Sequence, residues 1–190
     1  MFLKNILFWQ PKQGLFKLVC KTKLGSFLLV FFNYLIWLFL IFVSFRLVMF
    51  DANIFWQLFL ATLIAEIIER FCKSFLFWSR PICIHKYTLP KGLVKSWYDT
   101  GSFPSGHTSK AVFFLLFINQ YSVMPASNFL FVTIPLLLFR VLVGFHYPID
   151  VLGGIVIGLF TWGLSHQIIF PAFLTSPIAN LFRIFFKWLP

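Results

Sequence analysis

The stretch SFLLVFFNYLIWLFLIFVSF, residues 26–45, runs for twenty positions without an aspartate, glutamate, lysine or arginine. Residues 151–170, VLGGIVIGLFTWGLSHQIIF, do the same. An α-helix needs about twenty such residues to cross a hydrocarbon core about 30 Å thick. The surroundings agree: 60% of the 190 residues are hydrophobic, against about 45–50% in a soluble domain. The surplus has to face something other than water. These two runs therefore point to an all-α protein, a multi-span transmembrane helix bundle formed by one domain over residues 1–190.

Working outward, residues 1–23 mix aromatics with five lysines, Pro11 and Gly14. That composition suits an interfacial segment, and no small-residue cleavage site marks it as a removed signal peptide. The first span covers residues 26–50. After Asp51-Ala52 a second helix begins at Asn53 and extends to Ser79. Its latter half carries Glu66, Glu69, Arg70, Lys73 and Arg80. Glu66, Lys73 and Arg80 are seven apart and share a face, and Glu66–Arg70 and Glu69–Lys73 are pairs four residues apart. Such a stripe faces the bundle interior or the membrane surface, and we read Glu66, Glu69 and Arg70 as an ion-pair network supporting Lys73.

The Arg80-Pro81 step ends that helix, because proline pushes its predecessor out of the α region. Residues 81–104 form a polar loop whose Lys86, Lys91 and Lys95 face lipid headgroups. Residues 111–139 lack formal charge but are too long for one span, and the turn chemistry of QYSVMPASN, residues 120–128, divides them. A third span covers 105–121 and a fourth 126–145. The fifth, 150–170, carries Gly154 and Gly158 as a close-packing face. After Pro177, within a tail spanning 172–190, Arg183 and Lys187 share a face opposite Phe and Leu residues, as on a lipid surface. This gives five spans, or six if residues 1–19 also cross. Most tryptophans fall near span ends, as in an aromatic belt.

The net charge of +11 is distributed at span ends and in one loop. Anionic lipid headgroups, rather than nucleic acid, are the partners this implies. Cys20, Cys72 and Cys83 provide neither a disulfide framework nor a zinc motif. His85 and His166 read as structural. Only five carboxylates are present, and they are not clustered as a catalytic metal site requires.

This threading brings Lys73, Arg80, Ser105, Gly106, His107, Arg140, His146 and Asp150 to one membrane face. Three cations with so few acids suit an anion with several oxygens. Arginine forks and a lysine point charge hold phosphate well. Backbone N–H groups at a helix start add to that hold, and a glycine there permits close approach. Two histidines can then divide the chemistry. His146 has Asp150 four residues on, able to accept its Nδ1–H and leave Nε2 to attack phosphorus. His107 on the other wall supplies a proton to the leaving oxygen.

The segments KSFLFWSRP (73–81), PSGH (104–107) and RVLVGFHYPID (140–150) resemble, in order and spacing, the three motifs of the type 2 phosphatidic acid phosphatase superfamily: K-x6-RP, PSGH and SR-x5-H-x3-D. The resemblance implies a phosphatase that works through a phosphohistidine without a metal or other cofactor. Lys73, Arg80 and Arg140 would hold the phosphoryl oxygens, with Ser105 and Gly106 completing the cradle. His107 would be the acid, His146 the nucleophile and Asp150 its orienter. Phe139 stands where the pattern has serine and removes one hydroxyl contact. Lys110 has no counterpart in the motif.

Polyprenyl diphosphate, phosphatidic acid, phosphatidylglycerophosphate and a lipid A-type phosphate are the substrate candidates, in a multi-pass protein of the cell membrane. The resemblance implies an outward-facing site, whereas the N-terminal lysines, by the positive-inside rule, point it to the cytoplasm. The alternatives are a lipid-binding scaffold of the same fold and a channel or transporter built around Glu66.

Overall fold

A computed structural model describes residues 2–12, 22–84 and 101–185, and all regular structure among them is helical. The helices are α1 (Phe2–Leu7), α2 (Lys23–Phe50), α3 (Asn53–Ser74), α4 (Pro81–Ile84), α5 (Gly106–Tyr121), α6 (Ala126–Leu142), α7 (Pro148–Ser165) and α8 (Ala172–Phe185). The readings of Lys17, Cys20, His85, Lys86, Lys91, Lys95, Trp97, Asp99, Lys187 and Trp188 lie outside the described residues. Among the described residues two helices, α2 and α7, are long and apolar enough to cross a membrane. The described part of residues 1–23 forms only the six-residue α1 and the start of α2.

The buried positions of α2 include Leu29, Asn33, Ile36, Leu40, Val43 and Leu47. Their alternating spacing of four and three keeps one seam turned inward, as in left-handed helix packing. On α3 the stripe is Ile54, Leu58, Ala61 and Ala65; on α6 it is Phe129, Thr133, Leu136 and Arg140. These stripes close around α5, which packs against α2, α3, α6 and α7 and buries Phe113, Phe117 and Ile118 completely. The outer faces carry exposed large apolar side chains, among them Phe42 on α2, Phe59 on α3, Phe131 on α6 and Val156 on α7.

The closest packing is between α5 and α7. A Cβ on Gly154 would meet the Ser105 carbonyl at 2.6 Å, and one on Gly158 would meet the Ser109 carbonyl at 2.6 Å and Val112 Cβ at 2.7 Å. The glycines let the two backbones touch, and this contact fixes the start of α5 relative to α7. Gly158→Ala is expected to cost about 1–3 kcal/mol through overpacking, read as a lower thermal midpoint in detergent. A Cβ on Gly163 would meet nothing within 4 Å, so Gly163→Ala is the control and should lose nothing. Equal midpoints for the two variants would refute this packing role.

Helix ends differ from the sequence reading in informative ways. The helix read over 53–79 is α3 and stops at Ser74, not Ser79. The Phe75 and Leu76 amides bond back to Cys72 and Lys73 carbonyls, and Leu76 turns left-handed at φ 46°. Arg80 is therefore not on the helical face of Glu66 and Lys73. The helix read over 126–145 is α6 and ends at Leu142, where Gly144 at φ 75° supplies a turn that glycine makes without strain. The helix read over 150–170 is α7 and starts two residues early, at Pro148, since proline suits the first helical position. It ends at Ser165. Beyond that end, Asn53 and Gln57 donate to the carbonyls of His166 and Ile168 at 2.8–3.2 Å, meeting acceptors that a helix end leaves unpaired. The tail helix begins at Ala172 and contains Pro177 instead of following it. His166 stacks on Trp162 and bonds to its carbonyl, a structural role.

Candidate active site

A cavity of about 150 Å³ is lined by Trp37, Glu66, Glu69, Lys73, Arg80, Gly106, His107, Lys110, Arg140 and His146. A wider hollow of about 800 Å³ at the other end of α2 includes Asp51 and Arg183 but no histidine. The smaller cavity thus brings together six residues singled out from the sequence: Lys73, Arg80, Gly106, His107, Arg140 and His146. Ser105 and Asp150 are buried next to it. Two helices deliver their residues through buried stripes: Arg140 is the last inward position of α6 and Asp150 the first of α7.

Asp150 is a well-tied carboxylate. Its Oδ2 accepts from the Tyr147 amide at 2.7 Å, capping α7, and its Oδ1 accepts from Trp78 Nε1 at 2.9 Å. Its own carbonyl accepts from the Ser105 amide at 2.9 Å, joining the starts of α5 and α7. Ser105 is correspondingly occupied. Its N–H is on Asp150, and its hydroxyl accepts from Thr108 Oγ1 at 2.9 Å. Of Ser105 and Gly106, expected to complete a cradle, Gly106 lines the cavity and Ser105 is hydrogen-bonded at the helix start.

His146 Nδ1 lies 3.0 Å from the Ser102 carbonyl oxygen and 3.5 Å from Asp150 Oδ2. Both partners can only accept, so Nδ1 carries the proton and Nε2 keeps its lone pair. The sequence assigned this hold to Asp150 alone; the geometry divides it, with the carbonyl nearer. Burial pushes the imidazole below the ordinary histidine value, with Arg80 and Arg140 adding to the shift and Asp150 opposing it. The ring is therefore neutral at neutral pH. His107 packs edge-on against Trp37, ring centres 5.1 Å apart.

Both arginines are held in place by hydrogen bonds from their guanidinium groups. Arg80 donates to the Phe145 carbonyl at 3.1 Å and the Gly101 carbonyl at 3.4 Å, which ties the turn before His146 to the segment before Ser102. Arg140 donates to Asn33 Oδ1 and lies 5.1 Å from the centre of the Phe145 ring. Phe139 packs against Phe32 at 5.0 Å within the cluster of Leu29, Ile82, Val143 and Phe145, so its side chain belongs to the apolar core beside Arg140.

The acidic stripe divides. Glu69 pairs with Lys73 and is 13% exposed, whereas Arg70, at 79%, pairs outside with Glu66. Lys110 is a further cation in the wall. It sits 3.3 Å from Glu66, 3.4 Å from Glu69 and 5.4 Å from the Trp37 ring centre. Four cationic side chains thus meet two carboxylates around the cavity. Sequence reasoning set Lys110 aside and missed Asn33, Trp37 and Trp78. Asn33 had a signal, as an amide inside the apolar run of 26–45; the tryptophans were absorbed into the aromatic belt.

The family model described as PAP2 superfamily matches residues 54–173. No curated protein and no solved structure matches the chain.

Proposed function

This chain belongs to the PAP2 superfamily, and from that premise we propose that it is an integral membrane phosphatase that hydrolyses a lipid phosphate or diphosphate through a phosphohistidine. Family membership suggests phosphatase activity on phosphate esters. The observation that carries the finer reading is the cavity itself, where a neutral, Nδ1-protonated His146 and His107 share a wall with Lys73, Arg80 and Arg140.

In this reading Lys73, Arg80 and Arg140 hold the phosphoryl oxygens, and the α5 start at Gly106 adds backbone dipole. His146 Nε2 attacks phosphorus, the bond to the leaving oxygen breaks, and His107 protonates that oxygen. The N–P bond is then cleaved by water, whose proton His107 takes, releasing inorganic phosphate. The Ser102 carbonyl and Asp150 stabilise the imidazolium character that develops on His146. Ser105 positions the α5 start.

The membrane assignment rests on the exposed apolar faces of α2, α3, α6 and α7, which exceed what a soluble monomer leaves in water. We place α2, α3, α5, α6 and α7 as five spans of a single domain, with α1 interfacial and α8 lying on the opposite surface. The site opens at the outer face of the cell membrane, where the head of a lipid phosphate lies. The substrate class comprises the four candidates named from the resemblance.

The experiment is release of inorganic phosphate from a panel of lipid phosphates by the detergent-solubilised chain, in excess EDTA. Turnover is expected without added metal and unchanged by the chelator. Intact cells should also hydrolyse a membrane-impermeant short-chain lipid phosphate. Loss of activity in EDTA would refute the metal-free mechanism, and activity confined to opened cells would refute the outward orientation.

A further inference from the structure

One carboxylate stands where the substrate anion is expected. A Cβ placed on Gly106 would lie 1.8 Å from Glu69 Oε2 and 2.3 Å from both Oε1 and Cδ. The Glu69 carboxyl group therefore rests directly on the glycine at the start of α5, where helix geometry favours an oxyanion. The same group pairs with Lys73 and with Lys110. Its two oxygens thus fill the space over the glycine and hold the lysine that the phosphoryl group requires.

We propose that Glu69 is a displaceable internal anion: it fills the phosphoryl cradle between turnovers, yields Gly106 and Lys73 to the incoming phosphate, and is retained on Lys110. This rests on the reading of the cavity as a phosphatase site. Like charges at contact distance repel strongly in a buried site, so the phosphate and the carboxylate exclude one another from the glycine. Lys110, 4% exposed and fixed between Glu66, Glu69 and the face of Trp37, is placed to keep the retreating carboxylate paired.

The exchange has a consequence for specificity. A lipid phosphate can offset the displacement with binding energy from its remote parts. Inorganic phosphate has no such part, so Glu69 favours substrate over product and speeds product release.

The test is calorimetric titration of the full-length, detergent-solubilised chain with inorganic phosphate, alongside lipid phosphate turnover. Glu69→Gln, which removes the competing charge, is expected to bind phosphate about tenfold tighter or more, given the cost of like-charge juxtaposition. Glu69→Asp, which keeps the charge but withdraws it from Gly106, should bind tighter than the parent by a smaller factor and carries the test alone if Glu69→Gln does not fold. Lys110→Met should weaken phosphate binding in the parent and have little effect in the Glu69→Gln background, because Lys110 acts through Glu69.

Phosphate binding by a folded Glu69→Gln that is no tighter than the parent's overturns the inference, as does no tightening in Glu69→Asp. An equal Lys110→Met loss in both backgrounds overturns the retention on Lys110. Those results with an active parent leave the phosphatase reading standing. A parent and variants that neither bind phosphate nor hydrolyse lipid phosphates overturn both.

Discussion

His146→Ala is expected to lower turnover by roughly 10⁴-fold or more, the scale set by loss of a covalent nucleophile, and to leave no phosphohistidine. The reason lies in one ring nitrogen. Nδ1 faces the Ser102 carbonyl and the Asp150 carboxylate, so its proton is fixed and the lone pair is on Nε2. Burial disfavours the imidazolium, which keeps that lone pair available at neutral pH. With alanine there, Lys73, Arg80 and Arg140 can still gather a phosphate, but the nitrogen positioned to take the phosphoryl group is gone. Two measurements are needed: phosphate release from a lipid phosphate, and acid-labile, base-stable label on the protein from a phosphorus-labelled substrate. Phosphate binding by the variant checks that the cavity survives. Parent-like turnover, or label that persists in the variant, would remove His146 from the chemistry. Asp150→Asn should cost less than His146→Ala, because the nearer partner, the Ser102 carbonyl, stays.

Much of this site was legible because its parts are spaced by local geometry. His146 and Asp150 are four apart across a helix start, so a proline at the first helical position and a cap at the third are enough to put the carboxylate beside the ring. Gly106 and His107 open a helix, and Gly154 and Gly158 announce close packing on one face; these are short-range patterns. Other contacts depend on which helices become neighbours. Asn33 meets Arg140 across 107 positions of chain, and Trp78 meets Asp150 across 72. Spacing within either segment has no information about the other. Arg80 is an instructive error. Its seven-residue phase with Lys73 is a true feature of the sequence, yet the helix carrying that phase ends at Ser74. Arg80 reaches the cavity by a different route, because its guanidinium ties the Phe145 and Gly101 carbonyls together. Lys110 was set aside for want of a motif position, although one turn after His107 on a buried helix face it could only point inward. A charge at such a position needs partners, and Glu66 and Glu69, already visible as an acidic stripe, were the available ones.

His107→Gln should separate substrates by their leaving groups. An alkyl lipid phosphate must expel an alkoxide, which is too basic to leave unprotonated, so loss of the acid is expected to cost about 10²–10⁴-fold. An aryl phosphate such as p-nitrophenyl phosphate expels a stable phenolate and should lose far less in the first step. The second step behaves differently, since the same imidazole takes the proton of the attacking water. On the aryl ester the variant should therefore give a burst of nitrophenol of about one per protein, followed by slow turnover with phosphohistidine accumulating. His146→Ala should give no burst with either ester. A lipid diphosphate expels a phosphate oxyanion, about as weak a base as nitrophenolate, and should behave like the aryl ester, so the ratio of variant to parent rates across the panel separates lipid monophosphates from lipid diphosphates. An equal loss on alkyl and aryl esters would show that His107 does not protonate the leaving group, and would leave it as a wall of the cavity held against Trp37.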